Sequence, residues 1–192
     1  VILQEYYENQ PNDMFINYAK QYSDMPFVIM LDEDENGYKA GRFLRASDLG
    51  MSGENNEWKP VIQDKLSQQL LVPNGTMGQR WEEGKKWNLK LETEDGTPID
   101  PMLSMVESDY HVETIQFPYF DSSGDGIFER PIATRTIQLA NGEEVKIATV
   151  YDLMTSQYGV QRFEHELEAT SYDDASSKYT PAWQEQITGI KK

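Results

Sequence analysis

The chain contains no cysteine. That absence removes disulfides, thiolate zinc sites, iron–sulfur ligation from within the chain and a cysteine nucleophile in one step. Histidine is nearly as scarce. His111 and His165 are the two present, and no H-x-H or H-x-x-x-H spacing brings them together as metal ligands, so each reads as an ordinary surface histidine. Positive charge is the third shortage: 17 Lys and Arg face 33 Asp and Glu, a formal net charge of −16. A field of that sign repels phosphate backbones and anionic headgroups, which argues against nucleic acid and membrane surfaces as partners. Long apolar runs are missing as well. None exceeds the five residues Phe27 to Leu31, whereas a spanning helix needs about 20, so a soluble segment with no direct membrane insertion is expected. No basic-then-apolar leader opens the chain, which starts at Val1 and reads as cut from something longer.

What is present is aromatic. Four Trp, eleven Tyr and seven Phe stand in a sequence only 38% hydrophobic, which suits a folded chain with a thin core. At 192 residues the length fits one domain, or one with an appendage.

Hydrophobic spacing then orders the chain. Val1 to Tyr7 reads as the last turns of a helix. Asn12 offers an N-cap before Met14, Phe15, Tyr18 and Tyr22, which recur on one face of a short amphipathic helix. Beyond the break at Asp24 to Pro26, the stretches Phe27 to Leu31 and Tyr38 to Leu44 flank an acidic turn and predict a hairpin. Between Trp58 and Glu92 the short pieces Val61-Ile62, Leu70 to Val72 and Trp87 to Leu91, parted by turns such as Asn74-Gly75, predict a loop-rich β meander. Pro98 and Pro101 keep the next stretch irregular, and His111 to Phe117 alternates as a strand. Thr136 to Ala140, Asn141-Gly142 and Val145 to Val150 predict a hairpin closed by a type I′ turn. Val150, Tyr151, Met154 and Tyr158 return to helical spacing with Gly159 as terminator, and Thr180, Pro181 and Gly189 frame a last short helix. The fold class expected is α+β, rich in β hairpins and meander with short flanking helices. Residues 1–192 read as a single segment: a helical lead-in over 1–25, mostly hairpins and loops over 26–150, short helices and loop over 151–192.

Chemistry-bearing patterns are few. Asp32, Asp34, Asn36 and Gly37 match the first half of a calcium loop, as do Asp121, Ser123, Asp125 and Gly126. Both lack the bidentate Glu of the twelfth position, where Phe43 and Ile132 stand, although Glu129 is near enough to complete a weak second site. A plain acidic turn is the competing reading of each. The carboxylate pairs Glu82-Glu83 and Asp173-Asp174 require a cleft and a perturbed pKa before acid–base work can be assigned to them; otherwise they are solvated surface. No G-x-S-x-G elbow anchors a triad, and Gly75-Thr76-Met77-Gly78 lacks the Lys-Ser or Lys-Thr of a phosphate loop. Trp58, Trp81, Trp87, Tyr119 and Phe120 could stack on sugar rings, or supply apolar area to the core or an interface.

Particular stretches go further than periodicity does. VPNGTMGQRWEEGKKWNLKLE from Val72 to Glu92 resembles a passage of the respiratory nitrate reductase catalytic (alpha) subunit. So do SDMPFVIML and AGRFLRASDL between Ser23 and Leu49, NNEWKPV from Asn55, FPYF from Phe117 and TVYDLMTSQYG from Thr149. SYDD and YTPAWQEQITG, from Ser171 to Gly189, continue in the same order, and their pattern is shared more loosely across the molybdopterin oxidoreductases. Asp32 to Asn36 and Asp95 to Asp109 depart from the family pattern.

The resemblance implies a parent enzyme that reduces nitrate to nitrite with electrons from quinol. It implies a molybdenum bis-molybdopterin guanine dinucleotide, one [4Fe–4S] cluster, an iron–sulfur beta subunit and, indirectly, a haem-containing membrane gamma subunit. The implied place is the cytoplasmic face of the cell membrane, in a membrane-anchored complex. Residue by residue almost nothing carries over. The family's cluster ligands include cysteines, its molybdenum-ligating Asp falls upstream of Val1, and its His-containing active-site motif falls downstream of Lys192. No catalytic, cofactor-binding or metal residue is assigned here, and a structural role is expected. A free-standing acidic calcium- or carbohydrate-binding module is the alternative.

Overall fold

The computed structural model describes residues 1–35, 37–74, 90–118, 126–159 and 161–191. It confirms an α+β, strand-rich chain. A short helix α1 (Ile2–Gln4) runs into a π-helical turn over Glu5–Asn9, and α2 (Asp13–Tyr22) follows. The Asn12 side chain caps α2 by accepting from Phe15 N at 3.0 Å.

Among the described residues, seven strands come next. They are β1 (Val28–Asp34), β2 (Gly37–Phe43), β3 (Ile62–Gln63), β4 (Leu70–Leu71), β5 (His111–Pro118), β6 (Ile127–Gln138) and β7 (Glu144–Thr149). Five of them close into a barrel in the order β1-β2-β5-β6-β7, while β3 and β4 pair separately. Every barrel pairing is antiparallel except β2 with β5, which meet in parallel at Tyr38↔Ile115 and Lys39↔Gln116. Closure comes from β1 against β7, through Val28↔Thr149, Ile29↔Ala148 and Met30↔Ile147. Helices α3 (Val150–Tyr158) and α4 (Pro181–Thr188) complete the chain. Thr149 and Thr180 cap them, and Gly159 and Gly189 end them at φ +75° and +70°.

Alternate strand residues feed two separate cores, because successive side chains leave opposite faces of a strand. Val28, Met30, Ala133 and Ile147 join Leu44, Val61 and Met105 in one. Leu31, Ile115, Phe117, Phe128, Ile132 and Ala148 form the other. With both faces covered, β1 shows the unbroken run Val28 to Leu31 rather than alternation. Where β1 and β2 cross, Gly41 leaves no room for a Cβ, which would lie 2.6 Å from Asp32 Oδ1 and 2.7 Å from Met30 O.

Three details differ from the sequence expectations. The apolar face of the amphipathic α2 is largely solvent-facing, not buried: Met14 is 81% exposed, Tyr18 61% and Tyr22 53%, with Phe15 half-buried. Ala19 and Lys20 are buried instead, Ala19 with Leu103 and Tyr151, and Lys20 in an ion pair with Asp100. The Asn-Gly hairpin is not type I′. Only Gly142 takes a positive φ (+88°), and Leu139 N bonds Glu143 O at 2.8 Å around a three-residue loop. That is the pattern of a turn followed by a left-handed glycine bulge, and it is held by Asn141 Oδ1 accepting from Glu143 N and by Ala140 N reaching Asp48 O. Finally, β6 begins nine residues before the expected Thr136. Arg130 to Thr134 are buried in succession and include Pro131, so neither alternation nor strand propensity marks them.

Candidate functional site

Among the described residues, the acidic and aromatic positions singled out from the sequence do not converge. Asp32 and Asp34 lie on β1, not in a loop, and the hairpin closes at once with Asp34 opposite Gly37. The Asp34 carboxylate is 3.0 Å from Lys39 Nζ, so a cation already occupies its oxygen side. Of the second acidic turn, Asp121, Ser123 and Asp125 lie outside the described residues, and Glu129 sits on β6 opposite Gln116. Asp174 works as a turn former: its Oδ1 accepts from Ser176 N at 3.0 Å and Ser177 N at 3.3 Å, and the Ser176 hydroxyl holds its carboxyl below the usual range. Trp58 is 59% exposed, and its carbonyl accepts from Arg45 Nη1 at 2.7 Å. Its suggested companions Trp81, Trp87, Tyr119 and Phe120, the pair Glu82-Glu83 and the glycines 75 and 78 lie outside the described residues. His111 opens β5 exposed, and His165 Nδ1 accepts from Leu167 N at 3.2 Å. Among the described residues no group of three or more His, Cys, Asp or Glu is arranged to hold a metal ion, and no helix is long and apolar enough to cross a membrane.

A different cluster stands out, at the junction of the lead-in, the start of α3 and the loop after it. Thr149 caps α3 by accepting from Asp152 N at 3.0 Å, which turns Asp152 inward in the first helical turn. There it is wholly buried. Ser104 Oγ donates to it at 2.6 Å and Met105 N at 2.7 Å, while Arg162 Nη2 approaches at 3.2 Å. Burial would pull the Arg162 guanidinium below its ordinary pKa, but Asp152 and Glu8 together hold it above. Glu8 Oε1 lies 2.7 Å from Arg162 Nη2, and Arg162 Nη1 donates to Thr155 Oγ1 at 2.8 Å. The guanidinium also lies over the Tyr151 and Phe163 rings, 5.6 and 5.2 Å from their centroids.

Phenols extend the cluster. Tyr151 OH is 3.1 Å from both Leu3 O and Glu8 Oε1; burial first, then Glu8, raises its pKa. Tyr7 donates to Glu107, whose other oxygen meets Lys65 Nζ at 2.6 Å, and burial followed by that bond to Glu107 pushes the Tyr7 phenol up as well. Tyr172 OH donates to Gln4 Oε1 at 2.6 Å and is pushed up to about 12 by burial and then by Glu5. All three therefore remain donors at neutral pH. Tyr7, Glu8, Lys65, Glu107, Tyr110 and Phe163 face a cavity of about 470 Å³.

Asp152, Glu8 and Glu107 are each met by a cation and by hydroxyl or backbone donors. Such an arrangement fixes distances between chain segments far apart in sequence. Sequence reading missed it because Gln161 to Lys178 shows no period. The one available signal was Thr149-x-x-Asp152, the spacing of an N-cap and an acidic third residue.

No protein-family model matches the chain. Whole-sequence comparison does find relatives, and the family resemblance holds along the full chain. It is 46% identical over 193 residues to the nitrate reductase alpha chain of Bacillus subtilis, with all of this chain and 16% of that one aligned. Identity is 38% over 206 residues to the respiratory nitrate reductase 1 alpha chain of Escherichia coli, again over all of this chain and 16% of the relative. With the nitrate reductase alpha subunit of Mycobacterium tuberculosis it is 36% over 198 residues, 99% of this chain and 15% of the other. The chain thus spans about a sixth of the length of the curated relatives it matches.

Proposed function

We propose that the chain is a structural, non-catalytic part of a nitrate reductase alpha subunit, an oxidoreductase. The observation that carries this is its 36–46% identity to such chains along its whole length; the buried Asp152 carboxylate, met by Arg162, Ser104 and Met105, supports it. On this reading the parent reduces nitrate to nitrite at a molybdenum bis-molybdopterin guanine dinucleotide centre in anaerobic respiration and nitrate assimilation. It draws electrons from quinol through iron–sulfur centres, its own [4Fe–4S] cluster among them, and it works at the cytoplasmic face of the cell membrane. Its immediate partners are the rest of the alpha subunit and an iron–sulfur beta subunit, with a haem-containing gamma subunit behind them.

The chain brings no thiolate to an iron–sulfur cluster. It has no cysteine, and its described residues gather no three metal donors. We therefore assign cluster and molybdenum ligation to the remainder of the parent and no site residue to this chain. Residues 1–25 act as lead-in, 26–150 as the β body and 151–192 as the closing helices, with the Glu8–Arg162–Asp152 cluster fastening the first to the last.

The test is the mass of the native polypeptide that carries this sequence, detected by antibody in source-cell extract, and its molybdenum content. A band several times heavier than 22.1 kDa that carries molybdenum is expected. A metal-free band at the mass of the chain alone would overturn the reading and favour a free-standing binding module.

A further inference from the structure

Among the described residues, exposed large apolar side chains are densest at the start of the chain, with nine others scattered beyond it. Val1, Ile2, Tyr6, Met14, Tyr18 and Tyr22 all fall in the lead-in. On α2 the last three recur every fourth residue, so they stack along one side of the helix over roughly 12 Å. Tyr18 and Tyr22 pack ring to ring at 5.5 Å, and Phe15 extends the patch to Tyr6 at 5.9 Å. The other exposed residue among them, Asn17, is neutral, and the lysine of α2 is turned inward to Asp100. In a chain that is 26% charged, this is an aromatic, uncharged stripe with Asp13 at its end.

A water-facing helix of a free protein normally carries charge there, and Tyr and Met are the residue types enriched in buried contacts. The absence of charge argues against an ionic partner. The relatives supply the occupant: about five-sixths of their length lies outside the part this chain matches. We infer that the Met14–Tyr18–Tyr22 stripe is an interface, covered by an uncharged apolar surface of the remaining alpha polypeptide. This inference rests on the parent reading above.

The test uses the native full-length polypeptide. p-Benzoylphenylalanine in place of Tyr18 is photolysed, and Met14 oxidation by peroxide is followed by mass spectrometry in the same preparation. The expected cross-link joins Tyr18's position to a peptide outside residues 1–192 of the same polypeptide. Met14 should oxidise about tenfold more slowly than in the denatured chain, since sulfoxide formation follows exposure. Met14 oxidising at the denatured rate would overturn the inference, as would a cross-link to a second polypeptide, whether another subunit or a second copy. Failure of the parent reading shows separately, as an antibody-reactive band at the mass of this chain before any photolysis.

Discussion

The Asp152 carboxylate and the Arg162 guanidinium lie 3.2 Å apart with side-chain exposures of 0% and 4%. Ten positions separate them, and between them the chain leaves α3 and doubles back. Removing Arg162 leaves Asp152 charged and dry, which costs about 3–5 kcal/mol, whereas removing Asp152 leaves Arg162 its contact with Glu8. Arg162→Met should lower the unfolding free energy by about that amount in urea titrations, and Asp152→Ala by less. The double variant should lose clearly less than the sum. Strict additivity would show that the pair is not coupled.

Gly159 and Gly189 end their helices at nearly the same positive φ, and differ in surroundings. A Cβ at Gly159 would collide with the Arg130 side chain, whereas at Gly189 nothing lies within 4 Å. Gly189→Ala should therefore cost only the left-handed strain, about 1–2 kcal/mol. Gly159→Ala should cost about 1–3 kcal/mol more from overpacking. Equal melting temperatures for the two variants would count against the packing described around Arg130.

At Gly41 the obstacle includes backbone, Met30 O, which cannot swing aside as a side chain can. Gly41→Ala is expected at the upper end of overpacking effects, about 3 kcal/mol, with amide exchange accelerated on both β1 and β2. Unchanged exchange at Leu31 and Ala40, which pair across that crossing, would refute it.

Arg42 forks onto Asp48 with two contacts of 2.7 Å. The Arg42 hydrogen bond, assisted by Arg45 N, holds the Asp48 carboxyl below its ordinary 3.8. A depressed folded value stabilises the protein above the ordinary value, and that contribution is lost as pH falls through the folded one. Arg42→Ala should raise the Asp48 midpoint in carboxyl NMR titrations and shift acid unfolding to higher pH. Because the Arg42 side chain is 58% exposed, water screens the pair, and the loss near neutral pH should stay under about 1 kcal/mol. An unmoved Asp48 midpoint would contradict the assignment.

Local chemistry was the legible part of this sequence. Asn12, Thr180 with Pro181, Gly159 and Gly189 mark helix ends through bonds spanning three or four residues, and the structure places each as expected. Long-range pairing was not legible. Nothing near Tyr38 announces a parallel partner at Ile115, and the apolar spacing of α2 states that a face exists without stating what covers it. Arg162 looked like one more charge in a polar stretch, because its burial is created by Glu8 and Asp152, which are distant in sequence.

The seam between β1 and β7 joins Val28 to Thr149, so the barrel cannot shut until synthesis has passed the second of them. At typical elongation rates that interval is roughly 6–25 s. For its duration the apolar run Val28 to Leu31 has β2 beside it but no closing strand, and it is open to wrong pairings or to chaperones. The lead-in waits longer still, since Glu8 must meet Arg162 and Gln4 must meet Tyr172. The order in which the chain leaves the ribosome thus makes its first thirty residues the last to settle.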